Sequence, residues 1–171
     1  MVAGWYWRSL RSKVLYEYGV DIEELLDPSQ VEFNGSSRTP SRFMSARIRD
    51  GPHLAALRED GSLAISLAFA RILLRSSQFQ ESCVVIDGDS VEFVRRGMSV
   101  MSGHVVRIGS NVMPGLDVCV LSPGGEPIAV GTCLLPPRLS GTRSGPLVKI
   151  RAHEEISSDA APRRRAGAGS K

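Results

Sequence analysis

The sequence predicts an α+β protein, with a small mixed N-terminal domain followed by a small β barrel or sandwich. Two observations carry that prediction. A helical pattern at the start gives way to alternating, turn-bounded segments between residues 31 and 65. After Gly97 the chain becomes a run of short apolar segments, broken by Gly and Pro turns at the spacing of short strands.

From Arg8 to Leu26 the pattern is helical, with Leu10, Val14, Leu15 and Tyr18 on one apolar face. Gly19 can end that helix, Asp21 can cap a second short turn, and Pro28 is a stop. Trp5, Tyr6 and Trp7 read as packing or partner-contact residues, because aromatic side chains dominate cores by area. Val31 to Phe33 is a strand, followed by the turn-rich NGSSRTPS. Phe43 to Arg49 alternates, with Phe43, Ser45, Arg47 and Arg49 on one side and Met44, Ala46 and Ile48 on the other. That is a half-buried strand with a basic face. Asp50-Gly51 is a hairpin turn into a return strand from His53 to Leu57. Asp60-Gly61 turns the chain again, Leu63 to Ile65 is a strand, and Ser66 caps a helix through Leu74. Leu67, Ala70, Ile72, Leu73 and Leu74 form the apolar side of that helix.

The polar Ser76-Ser77-Gln78 marks a domain boundary, giving an N-terminal domain over 1–78 and a second domain over 79–154. In the second, Cys83 to Ile86 is a buried strand. Ser90 to Arg96 is about two helical turns with Val91 and Val94 inward, and Gly97 stops the helix in a left-handed conformation. Strands follow near 98–100, 104–107, 116–121, 127–134 and 147–151. Residues 155–171 contain almost no large apolar side chain and read as a disordered basic tail.

Of the 171 residues, 42% are hydrophobic and 23% charged, enough to bury a core. No apolar run is long enough for a transmembrane helix, and the first residues lack the ordered regions of a signal peptide, so a cytoplasmic protein is expected. The three cysteines, Cys83, Cys119 and Cys133, form no CxxC pair, which leaves a zinc site unsupported; each lies in an apolar run and reads as a buried thiol. The formal net charge is +3, and much of it lies in the tail, so any anion-binding surface must come from segregated charge. Arg outnumbers Lys heavily, which suits phosphate and base contacts, although codon bias gives the same excess.

The segment from Cys83 to Arg151 resembles the PUA domain, a pseudo-barrel of RNA-modification and ribosome-assembly proteins. The resemblance rests on several stretches. A strand and helix lead to the turn Arg96-Gly97-Met98-Ser99-Val100-Met101, and Gly103 precedes the next strand. Pro114-Gly115-Leu116-Asp117 is similar to the family's Pro-Gly-Asp turn with one residue inserted. Gly125, Pro127, Ala129 and Gly131 match a barrel-closing segment, and Val148-Lys149-Ile150-Arg151 matches the last strand. The first half, with VEF, RFMSARIRDG and REDGSLAISLAFARILL in order, is similar to the domain that precedes PUA in archaeal tRNA-guanine transglycosylases. In those enzymes the pair forms a tRNA-binding part downstream of a catalytic barrel. Nothing in these residues corresponds to that barrel.

The resemblance implies an RNA-binding face built from Arg95, Arg96, Gly97, Met98, Ser99, Val100, Gly103, Lys149 and Arg151. The resemblance also implies that the last strand runs near the Gly97 loop, and the chemistry of these residues stands beside it. A glycine lets a phosphate or base approach the main chain, turn N–H groups can cradle an anion, and Lys149 and Arg151 share one side of a strand. Gly97 also serves as a helix end, and Arg95 and Arg96 also complement the helix dipole. Arg42, Arg47 and Arg49 are a secondary RNA-binding stripe, and Arg163-Arg164-Arg165 adds salt-sensitive affinity. His53, His104 and His153 show no ligand spacing, no nucleophile–base pair or phosphate loop is visible, and neither metal nor cofactor is expected. The expected function is non-catalytic recognition of structured RNA, as implied by the resemblance: tRNA near its acceptor stem and 3′ end, with a tRNA-modification enzyme as partner. A ribosome-assembly factor bound to rRNA and a protein-interaction scaffold with a vestigial RNA face are the alternatives.

Overall fold

Helix α1 (Val2–Tyr18) buries Trp7, Leu10, Val14 and Tyr18. It ends at Gly19, whose N–H donates to the Leu15 carbonyl at 2.9 Å with φ +70°. The structure, a computed structural model, describes residues 2–39, 42–137 and 145–154. Leu15 departs from expectation and is half exposed. It lies a full residue step around the helix from Val14, outside the stripe that i, i+4, i+8 spacing sets through Leu10, Val14 and Tyr18. Of the three aromatics near the start, Tyr6 and Trp7 are buried and Trp5 is exposed. Asp21 caps a short 3-10 turn, Ile22–Glu24, as expected. Pro28 starts a second such turn, Pro28–Gln30, rather than only stopping a helix. Its missing N–H costs nothing in a first turn.

Strands β1 (Val31–Gly35), β2 (Phe43–Ile48), β3 (His53–Leu57) and β4 (Leu63–Ile65) form an antiparallel sheet in chain order. The strict alternation expected for β2 fails at Met44. Asn34 pairs with Ser45 and Gly35 with Phe43, which leaves Met44 without a partner on β1. This bulge carries Phe43 to the buried side with Ala46 and leaves Met44 exposed. Asp50 takes φ +51° in the hairpin turn. Helix α2 (Leu67–Leu73) starts where the Ser66 hydroxyl accepts from the Phe69 N–H at 3.0 Å, and it packs against β3. Leu67, Phe69, Ala70 and Leu73 are its buried residues.

A six-stranded sheet follows: β5 (Cys83–Ile86), β6 (Val100–Met101), β7 (Val105–Ile108), β8 (Asp117–Leu121), β9 (Pro127–Cys133) and β10 (Pro146–His153). Its order is β6-β10-β9-β8-β5-β7, with β5 and β8 parallel and the other pairs antiparallel. The edge strands β6 and β7 are joined by the turn Ser102–His104, so the sheet nearly closes into a pseudo-barrel. Short helix α3 (Val91–Arg95) packs on β9 and β10.

Two cores result. Val84, Ile86, Val118, Val120, Ile128 and Val148 fill the barrel, with Val94 of α3 and Val100 of β6 beside them. The other core joins α1, the first sheet and α2 to Cys83, Cys119, Leu121 and Val130 on the outside of the barrel. Strand β8 is therefore buried along its whole length, one face in each core. The polar Ser76-Ser77-Gln78 leads into a 3-10 turn, Ser77–Ser82, in which Phe79 is fully buried, edge-on to Tyr18 at 5.5 Å. Glu17 ties α1 to β4: its carboxylate accepts from the Leu63 N–H at 3.1 Å. Burial pushes that carboxyl above its ordinary value, although the Leu63 hydrogen bond opposes the shift. All three cysteines are free and buried. Among the described residues no helix is long and apolar enough to cross a membrane.

Candidate nucleic-acid interface

The site grows out of the end of α3. Val94 anchors the helix in the barrel, and Gly97 at φ +82° reverses the chain. The Gly97 N–H donates to the Val94 carbonyl at 2.9 Å, and the Met98 N–H donates to the Phe93 carbonyl at 3.1 Å. A Cβ at position 97 would lie 3.1 Å from the His153 ring, so only glycine suits both the backbone and the space. Three residues on, Val100 pairs with Val148 of β10. The loop therefore runs along the edge of β10, with its Gly97 end at His153 and its Val100 end beside Lys149. The strand expected from Met98 begins only at Val100, and Met98 and Ser99 are exposed in the loop. Gly103 is exposed in the next turn.

Beside the loop lies a hollow of about 190 Å³ lined by Ser90, Phe93, Met98, Ser99, Met101 and His104. His104 Nδ1 is 2.8 Å from an Asp87 carboxylate oxygen, and Asp87 also accepts from the Ser90 N–H at 2.9 Å. Hydrogen bonds from Ser90 and then His104 hold the Asp87 carboxyl below its ordinary value.

The sequence-derived cations divide into two groups. Arg96 and Lys149 are exposed and have no ion-pair or hydrogen-bond partner among the described residues. Arg95 is mostly covered and stands between Glu126 at 3.7 Å and Glu154 at 3.5 Å, and Glu154 also holds Arg71 at 2.9 Å. Arg151 bonds the Asp117 carboxylate and the Ile65 carbonyl. It is the unpaired residue of a bulge in β10, because Ile150 pairs with Gly131 and Ala152 with Val130. On the first sheet, Arg42 donates to the Arg58 carbonyl at 2.8 Å, Arg47 donates to the Gly51 carbonyl at 2.9 Å, and Arg49 pairs with Glu32 at 3.3 Å. Arg163-Arg164-Arg165 lies outside the described residues.

Sequence reasoning missed the group that joins the sheet to the barrel. Asp117, whose side chain is fully buried, is clamped by Arg58 from one oxygen and Arg151 from the other. Its carboxylate also accepts from the Ile65 N–H at 2.9 Å and the Thr132 hydroxyl at 3.1 Å. Thr132 stands opposite Asp117 on one side and Lys149 on the other, so the three residues form a row across β8, β9 and β10. The only sequence signal was the displaced aspartate of the Pro-Gly-Leu-Asp turn; Arg58 gave none. His153 was missed as well, since it reads as a solvated strand end until β10 is laid beside Gly97.

Comparison with known proteins supports the barrel fold. Residues 83–137 match the PUA domain model. The tRNA-guanine(15) transglycosylase of Thermococcus onnurineus is 30% identical over 150 residues, covering 84% of this chain and 25% of that protein. The corresponding enzyme of Thermococcus kodakarensis is 31% identical over 138 residues, covering 80% of this chain and 23% of that one. The chain thus spans about a quarter of the length of these relatives. Among solved structures, a hypothetical protein of Pyrococcus horikoshii superposes with a TM-score of 0.65 at 19% identity, covering 85% of this chain and 88% of that one. A conserved PUA domain protein of Thermoplasma acidophilum gives 0.59 at 16% identity, with 88% and 89% covered.

Proposed function

From a chain that carries a PUA domain, a class of RNA-binding module, we propose that this protein binds structured RNA, most directly tRNA at its acceptor stem and 3′ end, without performing chemistry itself. The observation that carries this reading is the notch along β10. Arg96 and Lys149, exposed and without an ion-pair partner among the described residues, lie by a loop that is exposed at Met98 and Ser99. Their charges suit the sugar-phosphate chain, and the hydroxyl of the exposed Ser99 suits its oxygens. The neighbouring hollow, with Phe93, Met98 and Met101 exposed at its rim, suits an unstacked base. The relatives' names supply the tRNA part of the reading. The protein would then act in the cytoplasm alongside a catalytic domain of the transglycosylase kind, in the same chain or another. Trp5, Leu15 and Tyr16, exposed on the outer side of α1, favour contact with a partner in addition to RNA.

Two variants test the notch: Arg96→Ala with Lys149→Ala, and Gly97→Glu with Lys149→Ala. Titrated with a tRNA transcript at two salt concentrations, each is expected to bind about tenfold more weakly than wild type, with a salt dependence shallower by roughly one to two phosphate contacts. Equal affinities would overturn the reading.

A further inference from the structure

We propose that the seam between the first sheet and the barrel is a second phosphate-contacting track, running from Lys149 through Arg151 and His53 to Arg47, so that one RNA strand continues from the Gly97 notch onto the first sheet. The inference rests on the RNA-binding reading and extends it to a surface outside the barrel loop.

The track is continuous in the structure. Lys149 and Arg151 share β10, whose edge carries the notch. Arg151 crosses from β10 to the Ile65 carbonyl of β4. His53 on β3 stands opposite Arg47 on β2, and the Ser66 hydroxyl, one residue past Ile65, donates to the His53 carbonyl at 2.5 Å. His53 feels both neighbours: partial burial first, then the positive charges of Arg151 and Arg47, hold its imidazole below the ordinary value.

The charge along this track is incompletely neutralised. Asp117 offsets one positive charge but is shared by Arg58 and Arg151. Glu32 stands opposite Arg47 on β1, yet its ion pair is with Arg49, and the hydrogen bonds of Arg47 go to backbone carbonyls. Anions placed along the seam would supply the missing charge. Asp117 and Ile65 fix one nitrogen of Arg151, while its Nε and Nη1 have no partner among the described residues. The guanidinium is therefore held in place with donors to spare, which lowers the ordering cost of meeting a phosphate.

The test compares wild type, the notch variant Arg96→Ala with Lys149→Ala, and a seam variant, Arg47→Gln with His53→Gln, by titration with a tRNA transcript and a pool of structured cellular RNA at several salt concentrations. The seam variant is expected to bind about three- to tenfold more weakly and to lose roughly one phosphate contact from the salt slope. Its loss should multiply with that of the notch variant. If wild type binds and the notch variant is weakened while the seam variant equals wild type, the track is overturned and the RNA-binding reading stands. If wild type binds neither RNA, both fall. A second measurement is independent of any variant's folding. The His53 ring resonances of wild type should shift at saturating RNA, and unchanged resonances would overturn the track.

Discussion

Replacing Asp117 with Ala is expected to lower the folding stability by about 3–5 kcal/mol, the usual cost of removing one partner from a buried ion pair. The variant would leave two partly covered guanidiniums facing each other, with the Ile65 N–H and the Thr132 hydroxyl losing their acceptor. The loss reflects uncompensated charge more than the intrinsic strength of the pair. Arg151→Ala should therefore cost less, because Arg58 would still neutralise the carboxylate. Urea denaturation measures both. A loss below about 1 kcal/mol for Asp117→Ala, the value of a surface pair, would mean that this group does not hold the sheet to the barrel.

Gly131→Ala should destabilise by about 3 kcal/mol, at the upper end for overpacking. The added Cβ would lie 2.3 Å from the Lys149 carbonyl oxygen and 2.9 Å from the Ile150 Cα. Both are backbone atoms, so no rotamer change relieves the contact, and β10 must move away from β9. The melting temperature should fall by about 6–12 °C for a chain of this size. RNA affinity should fall with it, because β10 carries Lys149 and borders the notch. Gly124→Ala is the control: the nearest atom to its Cβ is the Ser122 hydroxyl at 3.7 Å, and its melting temperature should match wild type. Equal melting of the Gly131 and Gly124 variants would show that β9 and β10 have room for a methyl group.

Features set by a few adjacent residues were legible in the sequence. The Ser66 cap, the Asp50-Gly51 hairpin, the left-handed Gly97 and the buried β5 all depend on local chemistry, and each lies where local reasoning puts it. Met44 was not legible, because a bulge depends on the partner strand's register as well as on the bulged strand. Phe69 was passed over on α2, although its spacing from Leu73 fits the buried side. Arg151 shows the larger gap. Alternation correctly puts it outside the barrel but cannot reveal that a carboxylate 34 positions earlier is waiting for it. The same holds for Arg58, 59 positions before Asp117. The nearness of Lys149 to the Gly97 loop was likewise invisible to spacing and came from the family resemblance. Pairings across long sequence separations are set by topology, and periodicity carries no information about them.

Strand β10 is the last of the barrel in sequence, yet it sits between β6 and β9. Everything the notch needs from β6 and α3 is made some fifty residues before its other wall. During synthesis, the loop between α3 and β6 therefore lacks its β10 wall until the final strand has left the ribosome and slotted in. If the notch binds RNA as proposed, a nascent chain has no finished groove with which to seize the RNAs crowded around it.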